Sequence, residues 1–246
     1  MRIAILSDIN ANLPALDAAL ESLTIEKPDT IYCLGDLVGY NIWPNEVIKE
    51  IRQRGIATIS GNHDAKVMHV LADQPVENNQ HFDYHIIGED EKTYLASLPA
   101  HIRLEFQLNS QHLNILMVHG SPSSNKEYLL EDKDEDSFIK VFRETDSQVL
   151  LFGHSHKPYH RILANKNNFM PSYLHAINAG SIGKPKDGDP RGCYVIITLT
   201  EESSVLDKDS IQVKFIRFAY DIEKAAKALE NSPLPNEYAE RLRKGI

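Results

Sequence analysis

Short apolar runs, each stopping at a polar cluster, punctuate the chain. Ile3-Ala4-Ile5-Leu6 gives way to Ser7-Asp8-Ile9-Asn10, and Ile31-Tyr32-Cys33-Leu34 to Gly35-Asp36. Ile56-Ala57-Thr58-Ile59, read as a short buried strand, leads through Ser60 to Gly61-Asn62-His63-Asp64. Leu113 to Val118 runs into His119-Gly120, and Val149 to Phe152 into Gly153-His154-Ser155-His156. Runs this short, bounded by glycine and polar residues, predict buried strands. Aspartate, asparagine and histidine at strand ends are unfavourable in a core and useful in a site. Helical patterns separate the first three strands. Leu13, Leu16, Leu20 and Leu23 recur at helical spacing, with Asn12 as N-cap and Pro14 in the first turn. Pro44 opens a second amphipathic helix that carries Val47, Ile48 and Ile51 on one face. Strand, helix, strand, helix, strand predicts a parallel sheet, whose carboxyl edge is where α/β proteins build sites.

The pattern then changes. Residues 65–98 are polar and histidine-bearing, with a helix predicted from Glu89 to Leu98. They read as a helical insertion, either a lid over the site or an ordinary packed connection. Ile102, Leu104 and Phe106 alternate with Arg103, Glu105 and Gln107, the mark of a half-buried strand. The acidic run Glu131 to Asp136 predicts a solvated start to a helix bearing Phe138, Val141 and Phe142. Strands are expected near Tyr159–Leu163, Leu174–Ile177, Cys193–Leu199 and Ile211–Phe218, and a helical segment from Asp221 broken near Pro233 and Pro235. Two sheets back to back, flanked by helices, accommodate this much strand. With no internal repeat and no Gly/Ser linker, one domain over 1–246 is the expectation.

Composition narrows the function. The chain has 246 residues, is 42% hydrophobic and carries a formal net charge of −9. Lacking a long Lys/Arg run, it offers no basic surface for nucleic acid. Cys33 and Cys193 lie in apolar strands and read as small buried hydrophobes, not a disulfide. Ile3 to Leu6 is too short for a signal-peptide core, and no run approaches the ~20 apolar residues of a membrane span. A cytoplasmic protein with no membrane partner is the expectation.

The strand ends supply one donor set: Asp8, Asp36, Asn62, His119, His154 and His156. Carboxylate, amide oxygen and imidazole together suit Mn, Fe, Zn or Ni. Six donors with one shareable carboxylate suit a pair of ions, which can hold a hydroxide and clamp a phosphoryl oxygen. The remaining histidines (His69, His81, His85, His101, His112, His160 and His175) lack this context and read as surface or structural. Gly180-Ser181-Ile182-Gly183-Lys184 lacks the spacing of a phosphate-binding P-loop and reads as a turn near the site. Lys184 or Arg191 could touch a substrate phosphate or form a surface salt bridge.

The order of these fragments resembles the calcineurin-like metallophosphoesterase family, whose pattern is DxH, GD, GNH, a lone H and GHxH, each after a strand. Asp8, Gly35-Asp36, Gly61-Asn62-His63, His119 and Gly153-His154-Ser155-His156 match it. Leu37-Val38-Gly39-Tyr40, Ile177 to Gly183 and Asp187-Gly188-Asp189-Pro190-Arg191 look like the bacterial and archaeal phosphodiesterase branch. The resemblance implies a four-layer α/β/β/α sandwich of two mixed sheets. It also implies a metal-dependent phosphodiesterase with two divalent transition-metal ions and a small phosphoester or nucleotide substrate. One ion would take Asp8, Asp36 and His156, the other Asp36, Asn62, His119 and His154, with Asp36 as bridge. His63 would serve near the leaving group, beside substrate contacts from Asn62 and Arg191. Asn10 stands where the family has the histidine of DxH, and a neutral amide is the weaker ligand. Gly39 stands where many relatives have the aspartate that orients the GNH histidine. A dinucleoside polyphosphate hydrolase, or a metal-binding scaffold without turnover, are the alternative readings.

Overall fold

The computed structural model describes residues 1–73, 81–108, 111–165 and 172–246. In chain order the elements are β1 (Arg2–Leu6), α1 (Leu13–Glu26), β2 (Thr30–Cys33), α2 (Pro44–Gln53), β3 (Ala57–Thr58), α3 (Asn62–Asp73), α4 (Phe82–His85), α5 (Glu89–Ser97), β4 (His101–Leu108) and β5 (Gln111–Val118). They continue as α6 (Glu135–Thr145), β6 (Val149–Phe152), β7 (Tyr159–Asn165), β8 (Ser172–Asn178), β9 (Gly192–Thr198), β10 (Gln212–Phe218), α7 (Ile222–Glu230) and α8 (Glu237–Lys244).

Two five-stranded sheets result, in the orders β10-β9-β1-β2-β3 and β4-β5-β6-β8-β7. Both are mixed. In the first, β1, β2 and β3 run parallel, β9 pairs antiparallel to β1, and β10 antiparallel to β9. In the second, β5, β6 and β8 run parallel between antiparallel β4 and β7. The pleat then sorts the side chains. Ile3 and Ile5 of β1 face Ile115, Met117, Val149 and Leu151 of the other sheet in one buried cluster. Ala4 and Leu6, one residue out of phase, join the helix-side cluster with Leu16, Leu20, Val47, Ile48 and Ile51. Leu116, Leu150 and Phe152 face Phe138 and Phe142 of α6 on the far side. The architecture is a four-layer α/β/β/α sandwich, as the family resemblance implied.

Local expectations hold with small shifts. Asn12 is the N-cap of α1, its Oδ1 accepting from Ala15 N at 3.2 Å. The acidic run enters α6 later than expected, with Asp134 as cap. The strand expected over Ile56–Ile59 contracts to Ala57–Thr58 at the sheet edge, where Ala57 is exposed. Residues 74–80 of the expected insertion lie outside the described residues. The rest of that insertion is a packed connection: Tyr84, Ile87 and Leu95 are buried in the helix-side core. Cys33 and Cys193 are free and buried. Among the described residues, no helix is long and apolar enough to cross a membrane.

Because Ile5 is fully buried between the sheets, Ile5→Ala is expected to lower unfolding free energy by ~2–5 kcal/mol. Urea denaturation followed by circular dichroism checks this, and a loss below ~1 kcal/mol would mean that the two sheets do not pack through β1 as described.

Candidate metal centre

Most of the predicted donors leave their strands through backbone that side chains rarely adopt. Asp8, Asn10, Asp36, His154 and His156 all have positive φ, between 51° and 63°. Such conformations are strained for residues with a Cβ and persist only where surroundings impose them. Here the loops brace one another: Asp8 N donates to Gly35 O at 3.0 Å, Asn10 N to Asp36 O at 2.9 Å, and Gly153 N to His119 O at 2.8 Å. Two glycines make the approach possible. A Cβ on Gly61 would collide with Asp36 Oδ1, and one on Gly153 with Ser7 Oγ and Asp8 Oδ2.

The two carboxylates share one design. Asp8 Oδ2 accepts from Ser7 Oγ at 2.6 Å and from His154 N at 3.0 Å, while Oδ1 is buried with no hydrogen-bond partner. Asp36 Oδ1 accepts from His63 N at 2.8 Å, while Oδ2 is likewise buried and unpartnered. Burial disfavours both charges, but His156 beside Asp8 and His119 beside Asp36 outweigh it and hold both carboxyls below the usual range.

The imidazoles are aimed by carbonyl groups. His119 Nδ1 lies 2.8 Å from Leu34 O, and His156 Nδ1 2.5 Å from Lys184 O. A carbonyl only accepts, so Nδ1 carries the proton in each ring and, in a neutral ring, Nε2 presents its lone pair. That atom of His119 lies 3.0 Å from Asn62 Oδ1 and 3.3 Å from Asp36 Oδ2; that of His156 lies 3.1 Å from Asp8 Oδ1. His154 is turned the other way. Its Nε2 donates to Lys126 O at 3.2 Å, leaving Nδ1 open. With neutral rings, lone pairs face lone pairs, an arrangement that calls for a cation between them, either a proton or a metal ion. Burial opposes a proton on His119, yet Asp36 and Asp8 push its pKa up to about 10. Ligand atoms of Asp36, His119 and His154 lie within 4.8 Å of one another. The donor set therefore fits divalent transition metals.

Asn10 does not cap α1; Asn12 does. Asn10 Nδ2 donates to Val38 O at 3.3 Å, and its Oδ1 is buried without a partner. His63 stands apart from the donors, its Nδ1 hydrogen-bonded to Tyr84 OH and its ring 4.7 Å from that of Tyr40. A Cβ on Gly39 would sit 2.5 Å from His63 Nδ1. No side chain at 39 could share that space, and Tyr84, from α4, is the partner instead. Arg191 makes an exposed pair with Asp189, Nη2 to Oδ2 at 2.6 Å. The described contacts of Arg191 do not join it to the donors.

Three contributors escaped the sequence reading. Tyr84 lies in the insertion, where nothing local marks it. Tyr128, half-exposed, stacks on His154 with ring centroids 4.2 Å apart. Asp64 is fully buried and accepts from the backbone N–H groups of Asp36, Leu37, Val38 and Gly61 at 2.8 to 3.3 Å. Burial and the charge of Asp36 push it up to about 7, against those four donors. Its place right after Gly61-Asn62-His63 was the available signal.

Comparisons with known proteins agree with this fold. Residues 1–202 match the calcineurin-like phosphoesterase superfamily domain. An uncharacterized protein of Methanocaldococcus jannaschii is 30% identical over 261 residues, covering 98% of this chain and 96% of that one. The crystal structure of a metallophosphoesterase from Sphaerobacter thermophilus is similar with a TM-score of 0.77 at 29% identity, over 100% of both chains. A hypothetical protein from Pyrococcus horikoshii OT3 shares the fold with a TM-score of 0.78 at 23% identity, over 100% of this chain and 98% of that one.

Asp64→Ala removes the acceptor of four buried amides. It is expected to destabilise the fold by at least ~2 kcal/mol, since each orphaned buried donor costs ~1–3 kcal/mol, and to weaken metal binding by loosening the Asp36 turn. Paired denaturation and metal titrations check this; wild-type stability would show that the turn holds without Asp64.

Proposed function

The chain belongs to the calcineurin-like phosphoesterase superfamily, and from that premise we propose that it is a metal-dependent phosphodiesterase with a dinuclear centre. The observation that carries the reading is the meeting of the unpartnered Asp8 and Asp36 oxygens with the Nε2 atoms of His156 and His119 in a buried site. Asp8, Asn10 and His156 would hold one ion, and Asn62, His119 and His154 the other. Asp36, whose Oδ1 accepts from His63 N and whose Oδ2 has no hydrogen-bond partner, would serve both. When bound, such ions supply a water acidic enough to be a nucleophile near neutral pH and positive charge for the phosphoryl oxygens.

The chain's own part is positioning and proton control. Burial lowers the pKa of His63, so its ring is neutral near pH 7, and burial raises that of Tyr84, so its phenol stays protonated. A phenol donating to Nδ1 leaves the ring proton on Nε2, the tautomer whose N–H can hydrogen-bond a leaving-group oxygen and stabilise the charge that develops there. Asn62, next in the chain, has its amide oxygen turned toward His119. The scaffold reading differs in one respect: it expects metal to bind with no turnover.

Protein loaded with Mn or Ni is expected to hydrolyse bis(p-nitrophenyl) phosphate in preference to p-nitrophenyl phosphate. Asp36→Asn is expected to abolish this and to deplete both ions by metal analysis; two ions retained with normal turnover would remove Asp36 from the bridge. Hydrolysis of neither ester would favour the scaffold reading.

Tyr84→Phe and His63→Ala test the proton path. His63→Ala is expected to reduce turnover ~10²–10⁴-fold for poor leaving groups and less for p-nitrophenolate, with metal content unchanged. Tyr84→Phe should reproduce the leaving-group dependence at smaller size. An equal loss on all leaving groups would argue against the leaving-group role.

Asn10→His restores the family ligand and is expected to tighten the site of Asp8 and His156. The gain should fall short of the ~10–100-fold worth of a well-supported imidazole, because Val38 O now holds the amide and nothing is placed to orient a ring. Identical metal titrations of both proteins would leave Asn10 without a ligand role.

A further inference from the structure

We propose that Lys184 and Lys186, gathered around Tyr40, form an anion subsite beside the metal centre that takes a second phosphate of the substrate. The inference rests on the phosphoesterase reading and narrows it to substrates with two neighbouring phosphates, such as esters of nucleoside diphosphates or polyphosphates.

The two ammonium groups converge on one ring, with Lys184 Nζ 4.6 Å and Lys186 Nζ 5.4 Å from the Tyr40 centroid. An aromatic ring attracts each cation but leaves both charges in place. Among the described residues, neither lysine has a carboxylate within ion-pair distance; Glu237, the acidic group that acts on Lys184, is engaged by Arg241. Lys184 is only 3% exposed. A buried ammonium without a counter-ion is a poor structural element and a good receptor for an anion.

The placement is fixed by the centre itself. His156 Nδ1 donates to Lys184 O at 2.5 Å, Lys186 N to His156 O at 3.3 Å, and Gly183 N to Asp8 O at 3.0 Å. The lysines are thus strapped to the residues proposed to hold the first ion. The Tyr40 ring stands 4.7 Å from the His63 ring and 5.7 Å from that of Tyr238. Tyr40 itself has φ of 66°, and its N–H donates to the buried Asp83 at 2.9 Å. The ring that gathers both lysines therefore packs beside His63 on one hand and, at 6.3 Å between ring centroids, beside His156 on the other. Two point-charge ammonium groups match a phosphate, which carries about two charges and several acceptor oxygens, better than a singly charged carboxylate.

Titration calorimetry of inorganic pyrophosphate and of orthophosphate into manganese-loaded protein reads the subsite without turnover. Wild-type protein is expected to bind pyrophosphate about 10-fold or more tightly than orthophosphate. Lys186→Gln, at a half-buried position, should cut that ratio several-fold, Lys186→Arg should retain it, and Lys184→Met should cut it further. The ratio cancels any general weakening of the centre, since orthophosphate meets the ions alone. A wild-type ratio near one, or an unchanged ratio in Lys186→Gln, would overturn the proposal. A wild-type preference for pyrophosphate that falls in Lys186→Gln, in a protein that hydrolyses no phosphoester, would keep the subsite and sink the enzyme reading. Turnover of single-phosphate esters with a ratio near one would do the reverse.

Discussion

Two buried carboxylates, each pinned by one oxygen and open at the other, impose the order on this molecule. Asp8 and Asp36 are fully buried, and an ion taken out of water is penalised by several kcal/mol even after relaxation. Backbone and hydroxyl donors offset part of this at one oxygen of each. The remainder is offset only by positive charge at the other oxygen. The strained turns, the close glycines and the carbonyl groups that orient His119 and His156 all serve to set that open oxygen opposite an imidazole lone pair. The sheets supply the rigidity. Parallel β1, β2, β5 and β6 end on one edge, so six donors distant in sequence meet with little freedom left to lose on binding.

Much of this was legible in the sequence. The period of apolar residues marked β1, β2, β5 and β6, because buried strands leave few ways to place Ile3, Ile5, Val149 and Leu151. The strand ends then named candidate donors, since polar residues directly after such runs have only the sheet edge to occupy. What stayed hidden depends on contacts across the fold. Asp64 looks like a helix-start residue until four amides are seen to converge on it. Tyr84 comes from a stretch whose pattern announces a helix and nothing about His63. The open space beside Gly39 read as a missing partner, and the structure fills the role from another element. Ile56–Ile59 was over-read because edge position, not apolar character, decides how much of a strand pairs.

The lysines show the same limit from the other side. Lys184 and Arg191 are equal candidates by composition and spacing, being cations close to a glycine turn. Packing separates them: Arg191 reaches out to Asp189 at the surface, whereas Lys184 is drawn under Tyr40 by the turn that carries its carbonyl to His156. A single loop therefore aims a donor with its backbone and presents a cation with its side chain.

The central claim is that Asp36 joins two cations in one centre. Electron paramagnetic resonance of the protein titrated with Mn(II) tests it directly. The account predicts an isolated-ion signal at one equivalent that collapses into a spin-coupled signal as the second equivalent binds. Saturation at one ion, or a second ion whose signal merely adds to the first, would contradict it.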